Sequence, residues 1–128
     1  MLFLADMPQS TVQPAQKNIS AGDTVVALCK HDKGLQSSWG RLCQSHKHFD
    51  LCEIDNSIGF TCPHPLGLQL VLVNTTKEIA GDYLCKVSTS PKHALRPLTT
   101  AAVFKLMVTG KISLKNVIPQ CKRWHLTK

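Results

Sequence analysis

An all-β sandwich is the fold class this chain predicts, and three observations predict it. Short stretches alternate apolar with polar residues at a period of two, the pattern of strands with one buried face. Glycines, prolines and a turn from Asn74 to Gly81 punctuate those stretches. Cys29 and Cys85 flank Trp39, and Tyr83 stands two residues before the second cysteine in Gly81-Asp82-Tyr83-Leu84-Cys85. A length of 128 residues accommodates one such domain of about 100 residues plus a tail.

The elements follow in order. Residues 1–22, with Pro8, Pro14 and Gly22, read as a leader and edge segment, and 1–14 is set apart as leader or linker. The apolar opening Met1-Leu2-Phe3-Leu4-Ala5 is interrupted by Asp6 too early for a secretory h-region. Asp23 to Cys29 is a strand with Val25, Ala27 and Cys29 on one face. Lys30 to Ser38 is polar and contains Gly34, a loop leading to the strand that bears Trp39. Residues 43–67 hold three cysteines, three histidines, Gly59, Gly67, Pro63 and Pro65, and no strand is assigned there. Leu68, Leu70 and Leu72 then alternate with Gln69, Val71 and Val73. A turn from Asn74 to Gly81 leads to Tyr83, Cys85 and Val87, which share a face. Ser88 to Thr99 is a long exposed hairpin loop holding Pro91 and Pro97, and the last strand follows with Val103, Phe104, Leu106, Met107 and Val108. The sandwich therefore spans residues 15–109, and 110–128 form a basic C-terminal tail.

With strands at 23–31, 36–42, 68–73, 82–88 and 100–109, the Cys29…Trp39…Tyr83-x-Cys85 constellation resembles the immunoglobulin superfamily. The resemblance implies an immunoglobulin-like β-sandwich, of short variable or intermediate type because only 56 residues separate the two cysteines. It implies a bridge from Cys29 to Cys85 between facing strands, Trp39 packed on that bridge, and the Tyr83 hydroxyl tying down a neighbouring loop. Cys43 and Cys52, just after Trp39, resemble the extra bridge of leukocyte paired receptors such as the myeloid triggering receptors and the B- and T-lymphocyte attenuator. The phrases Cys29-Lys30-His31-Asp32-Lys33 and Ser38-Trp39-Gly40-Arg41 are similar to the myeloid group. The pattern Trp39…Cys43…Cys62…Leu70-x-Leu72-x-Asn74-Thr75-Thr76…Gly81-x-Tyr83 equally resembles the Ig-like glycoproteins of cytomegaloviruses and adenoviruses. Two features depart from the family. Many variable-type domains place an Arg-paired Asp where this chain has Ile79, with Glu78 beside it. Cys62 and Cys121 have no family counterpart, and bridging each other, pairing between chains or staying free are all open.

Composition bounds the compartment. Six cysteines in a short chain point to an oxidising environment, and the acceptor triplets Asn18-Ile19-Ser20 and Asn74-Thr75-Thr76 point the same way. The expected location is secreted, or the extracellular side of the plasma membrane. No apolar run approaches the roughly 20 residues of a membrane span, so the chain reads as a processed ectodomain or a soluble form of an anchored parent. The net charge of +7 is uneven: all eight acidic residues lie at or before Asp82, and every charged residue beyond it is basic. That last third suits sulfated glycans, anionic lipid, nucleic acid or an acidic protein.

The remaining chemistries are weaker. Cys43-x2-His46-x-His48-x3-Cys52, followed by Cys62-Pro63-His64, clusters thiols with imidazoles, but no Cys-x2-Cys occurs and no zinc module has this spacing. Nucleophilic catalysis needs a free thiol or hydroxyl beside a base, no nucleophile motif or phosphate loop is present, and no cofactor or enzymatic activity is expected. Lys122-Arg123-Trp124-His125 is a short basic patch suited to a sulfated glycan, with too few aromatics for nucleic acid.

The function expected is an immune-receptor-type binding domain for a cell-surface or secreted protein ligand. By analogy with related receptors, the contact residues are Lys47, His48 and Phe49 between the second pair of cysteines, and Lys92, His93, Leu95 and Arg96 in the late hairpin loop. The alternatives are a viral glycoprotein that modulates host immune receptors and a heparin-type polyanion binder.

Overall fold

The computed structural model describes residues 9–45, 48–89, 99–112 and 120–121. Nine strands run in order: β1 Ser10–Gln13, β2 Gln16–Ala21, β3 Val25–His31, β4 Gln36–Ser45, β5 His48–Cys52, β6 Gly59–His64, β7 Gly67–Leu72, β8 Gly81–Ser88 and β9 Thr99–Ile112. A 3-10 turn, Lys77–Ile79, precedes β8. The strands form a four-stranded sheet in the order β1-β3-β7-β6 and a five-stranded sheet in the order β2-β9-β8-β4-β5. Neighbours are antiparallel except β2 and β9, which run parallel. The chain leaves the edge of one sheet for the edge of the other at the cis Gln13–Pro14 peptide. This is the strand order of an immunoglobulin-like sandwich with one extra strand, β5. Six residues after it the chain is already in the opposite sheet, so the domain has the intermediate rather than the full variable complement.

Period-two patterning builds the core. Val25, Ala27 and Cys29 of β3 and Leu70 and Leu72 of β7 face Trp39, Tyr83, Cys85, Val87, Phe104 and Leu106 of the other sheet, all buried. The Cys29–Cys85 bond spans the layers with an S–S distance of 2.07 Å. Trp39 lies directly across the ladder from Cys85, and its Nε1–H donates to the Leu68 carbonyl of the facing sheet at 3.0 Å. Closing this long loop contributes roughly 4 kcal/mol in the chain-entropy account, a large share of a stability on the order of 5–15 kcal/mol. The Tyr83 hydroxyl donates to the Ile79 carbonyl at 2.6 Å, tying the 3-10 turn to β8. Where an Asp would have paired with an Arg, the Arg41 guanidinium donates to the Glu78 backbone carbonyl instead. One glycine is dictated by space: a Cβ on Gly67 would fall on the Cys29 carbonyl oxygen, so the β3–β7 ladder closes only without one.

The structure extends the body at both ends of the span 15–109. β1 lies before residue 15, pairs with β3 and buries Val12. One apolar residue between Thr11 and Gln13 is too short a stretch for periodicity to register. β9 continues to Ile112. The stretch 43–67 holds both β5 and β6. β6 tolerates Pro63 because it is an edge strand, where a missing N–H need not break a ladder. Cys62 bonds to Cys121 at 1.96 Å. Cys62, Val71 and Val73, with Phe60, make a second apolar cluster on the outward face of the four-stranded sheet. Coverage on both faces is why Leu68 to Val73 is nearly continuous in apolar residues.

Candidate functional site

The inward set on the five-stranded sheet determines what faces outward. Because Trp39, Tyr83, Cys85, Phe104 and Leu106 point to the core, their chain neighbours Gly40, Leu84, Val103 and Met107 point away from it, and Leu42, two residues past Gly40, shares that outward face. The register aligns them in rows: Leu42 faces Leu51, Gly40 faces Leu84, and Leu84 faces Val103. Leu51, Val103 and Met107 are 39%, 42% and 56% exposed. An apolar stripe therefore runs across β5, β4, β8 and β9.

Gly40 completes the stripe. A Cβ there would lie 2.6 Å from Leu51 Cδ1, so the leucine side chain lies over the glycine. Leu51 is held in turn by the Cys43–Cys52 bond, whose Cα atoms are 5.9 Å apart. Among the described residues β5 pairs with β4 alone, and this bond fixes the pair in register. Charge and polarity flank the stripe. Asp82 faces Lys105 on one side, and on the other a polar depression of about 310 Å³ is lined by Gln36, Ser38, Lys86, Ser88 and Thr99. An apolar centre with a polar rim is the anatomy of a protein interface.

The loop residues taken from the sequence are divided by this geometry. His48 and Phe49 begin β5, opposite Ser45 and Gln44. Lys47, Lys92, His93, Leu95 and Arg96 lie outside the described residues. The strand ends that carry the two loops are nevertheless fixed. The β4–β5 connection leaves the far end of β4, whereas Ser88 and Thr99 adjoin Gln36 at its near end. Ten residues of β4 separate those strand ends, about 30 Å at strand spacing. The exposed stripe between them was missed. Its signal was present in β9, where Val103 beside Phe104 and Met107 beside Leu106 break the alternation that a solvated face would show.

All six cysteines are bonded, which withdraws the thiolates a zinc site would need. Among the described residues no group of three or more His, Cys, Asp or Glu is placed to hold a metal. Both acceptor asparagines are exposed. Asn18 lies on β2, and Asn74 has a φ of 49° in the turn after β7. Thr75, between Asn74 and Thr76, is buried: its hydroxyl donates to the Asp23 carbonyl at 2.7 Å and accepts from the Gly22 N–H at 3.1 Å. Burial raises the Tyr83 phenol above its ordinary range, and the nearby Arg41 charge opposes that in part.

No protein-family model matches this chain, and no curated protein sequence does. Solved structures do: 270 chains match, so the architecture is widely shared and a partner must be argued from this chain's own surface. One match is a chain from a structure describing T cell specificity and activation by the bacterial superantigen toxic shock syndrome toxin-1. It is 16% identical with a TM-score of 0.61, and the match covers 80% of this chain and 99% of that one. Another, from the complex of titin M10 with an obscurin-like 1 Ig domain, is 12% identical with a TM-score of 0.55 and covers 84% and 92%. At such identities the likeness establishes the fold: the chain is an immunoglobulin-like β-sandwich.

Proposed function

We propose that this chain is an extracellular recognition domain of immune-receptor type, which docks a cell-surface or secreted protein on the outward face of β4, β5, β8 and β9. The observation that carries the reading is the exposed apolar stripe from Leu51 to Val103, on a sheet face that would otherwise be polar. Three disulfide bonds in 128 residues support the extracellular placement. Both a host receptor and a viral glycoprotein would use such a face. The loop residues Lys47, His48, Phe49, Lys92, His93, Leu95 and Arg96 are proposed as further contacts of the same partner.

The test is a screen of the purified domain, tetramerised, against cells that each display one membrane protein. Leu51→Asp and Val103→Asp place a charge in the stripe without touching the core, so each should abolish a specific signal and leave the melting midpoint within about 2 °C of the parent. Binding that survives both substitutions overturns this face. The polyanion reading is favoured by the run of basic residues after Asp82. It predicts instead a signal that sulfated glycans compete away and that falls steeply with salt.

A further inference from the structure

We propose that Asn18 carries an N-linked glycan that lies over Met107 and closes the β2–β9 end of the outward face. The inference rests on the extracellular reading, because the oligosaccharide is transferred only in the secretory compartment. In that transfer the asparagine Nδ2 bonds to C1 of an oligosaccharide held on a lipid diphosphate. The C1–O bond to the donor breaks, one amide proton leaves, and the lipid diphosphate is released.

Three placements point to this arrangement. Asn18 is exposed on β2, which among the described residues is an edge strand paired with β9. Ile19 is buried opposite Val108, so Asn18 and its own register partner Met107 both face outward on adjacent strands, about 4.8 Å apart. Met107 is 56% exposed, more than Leu66, Val26, Val103 or Leu51. An exposed apolar side chain beside an open strand edge invites edge-to-edge association, and natural sheets cover such places. A glycan is bulky and solubilising, and the apolar face of its first sugar suits an adaptable thioether. The Met107 end of β9 would be closed to protein, and the partner left the stripe from Leu51 to Val103. Asn74 supplies an internal control, since it follows β7 in the opposite sheet.

The experiment secretes the whole chain from glycosylating cells, with Asn18→Gln, Ser20→Ala and Asn74→Gln variants beside it. Site occupancy is read by peptide mass, and the rate of Met107 oxidation by dilute peroxide is followed on the folded protein. The parent and Asn74→Gln should show an occupied Asn18 and oxidise Met107 more slowly, by about threefold or more, than the other two. Ser20→Ala removes the acceptor triplet while keeping Asn18, so a folding defect peculiar to Asn18→Gln cannot decide the outcome. Equal Met107 rates in all four proteins overturn the proposal. Secreted protein with bonded cysteines and a bare Asn18 also overturns it, and leaves the extracellular reading standing. A chain retained in cells with reduced cysteines overturns both.

Discussion

The Tyr83 hydroxyl closes the turn that precedes β8, and it does so from full burial. Tyr83→Phe keeps the ring against Phe104, whose centroid lies 6.4 Å away, but leaves the Ile79 carbonyl without its donor. The expected cost is on the order of 1–2 kcal/mol, read as a fall of roughly 5–10 °C in a thermal melt. The same residue predicts a pH dependence. In the unfolded chain the phenol ionises near its ordinary 10.0, whereas burial holds the folded value higher. The unfolded state therefore loses its proton first, and the associated stability, fully present below pH 10.0, is lost as pH rises through the folded value. The difference in stability between parent and Tyr83→Phe should stay flat to about pH 9 and shrink above it, measured by urea titration at each pH. A difference that grows with alkalinity would contradict the burial argument.

At the level of elements, the strands hidden from sequence reading share one property. β3, β4, β7, β8 and β9 were legible because each carries several apolar residues to the core at a period of two, or bears the Trp39 signature. β1, β2, β5 and β6 were not, and these four are the edges of the two sheets. An edge strand has one neighbour and a short, polar sequence, as Val12 and Ile19 illustrate by being the lone buried apolar residues of β1 and β2. Two of these edges are stapled covalently, β5 through Cys43–Cys52 and β6 through Cys62–Cys121. The central bond should matter most. Cys29→Ala with Cys85→Ala removes the link between layers and opens a void beside Trp39, so no cooperative unfolding transition is expected by calorimetry. Cys62→Ser with Cys121→Ser leaves the principal core untouched and should still melt cooperatively at a lower midpoint. The opposite ranking would overturn this assignment of roles. The resemblance had implied the first two pairings; the third had no family pattern to reveal it.

On the scale of the whole molecule, the five-stranded sheet presents an apolar stripe, and Cys121 is pinned to the outward side of the other sheet. The stripe was invisible to a periodicity argument because that argument assigns every apolar residue of a strand to the core. Val103 and Met107 became surface residues only when the register was known. Charge, by contrast, was fully legible, because the basic excess after Asp82 is a property of the sequence. It predicts retention on heparin at low ionic strength and release well below 1 M salt, where the Debye length is about 3 Å. Retention at that concentration would indicate a specific glycan site rather than a diffuse field.

The three disulfides also set how far this chain extends under tension. Cys29–Cys85 and Cys62–Cys121 interlock along the sequence, each enclosing one end of the other, and Cys43–Cys52 short-circuits the segment between Cys29 and Cys62. Pulled taut with every hydrogen bond broken, the stretch from Cys29 to Cys121 reaches only about a quarter of the span its backbone allows at ~3.5 Å per residue. On a crowded or sheared surface, a tug would therefore lengthen the molecule little unless a reductant were present.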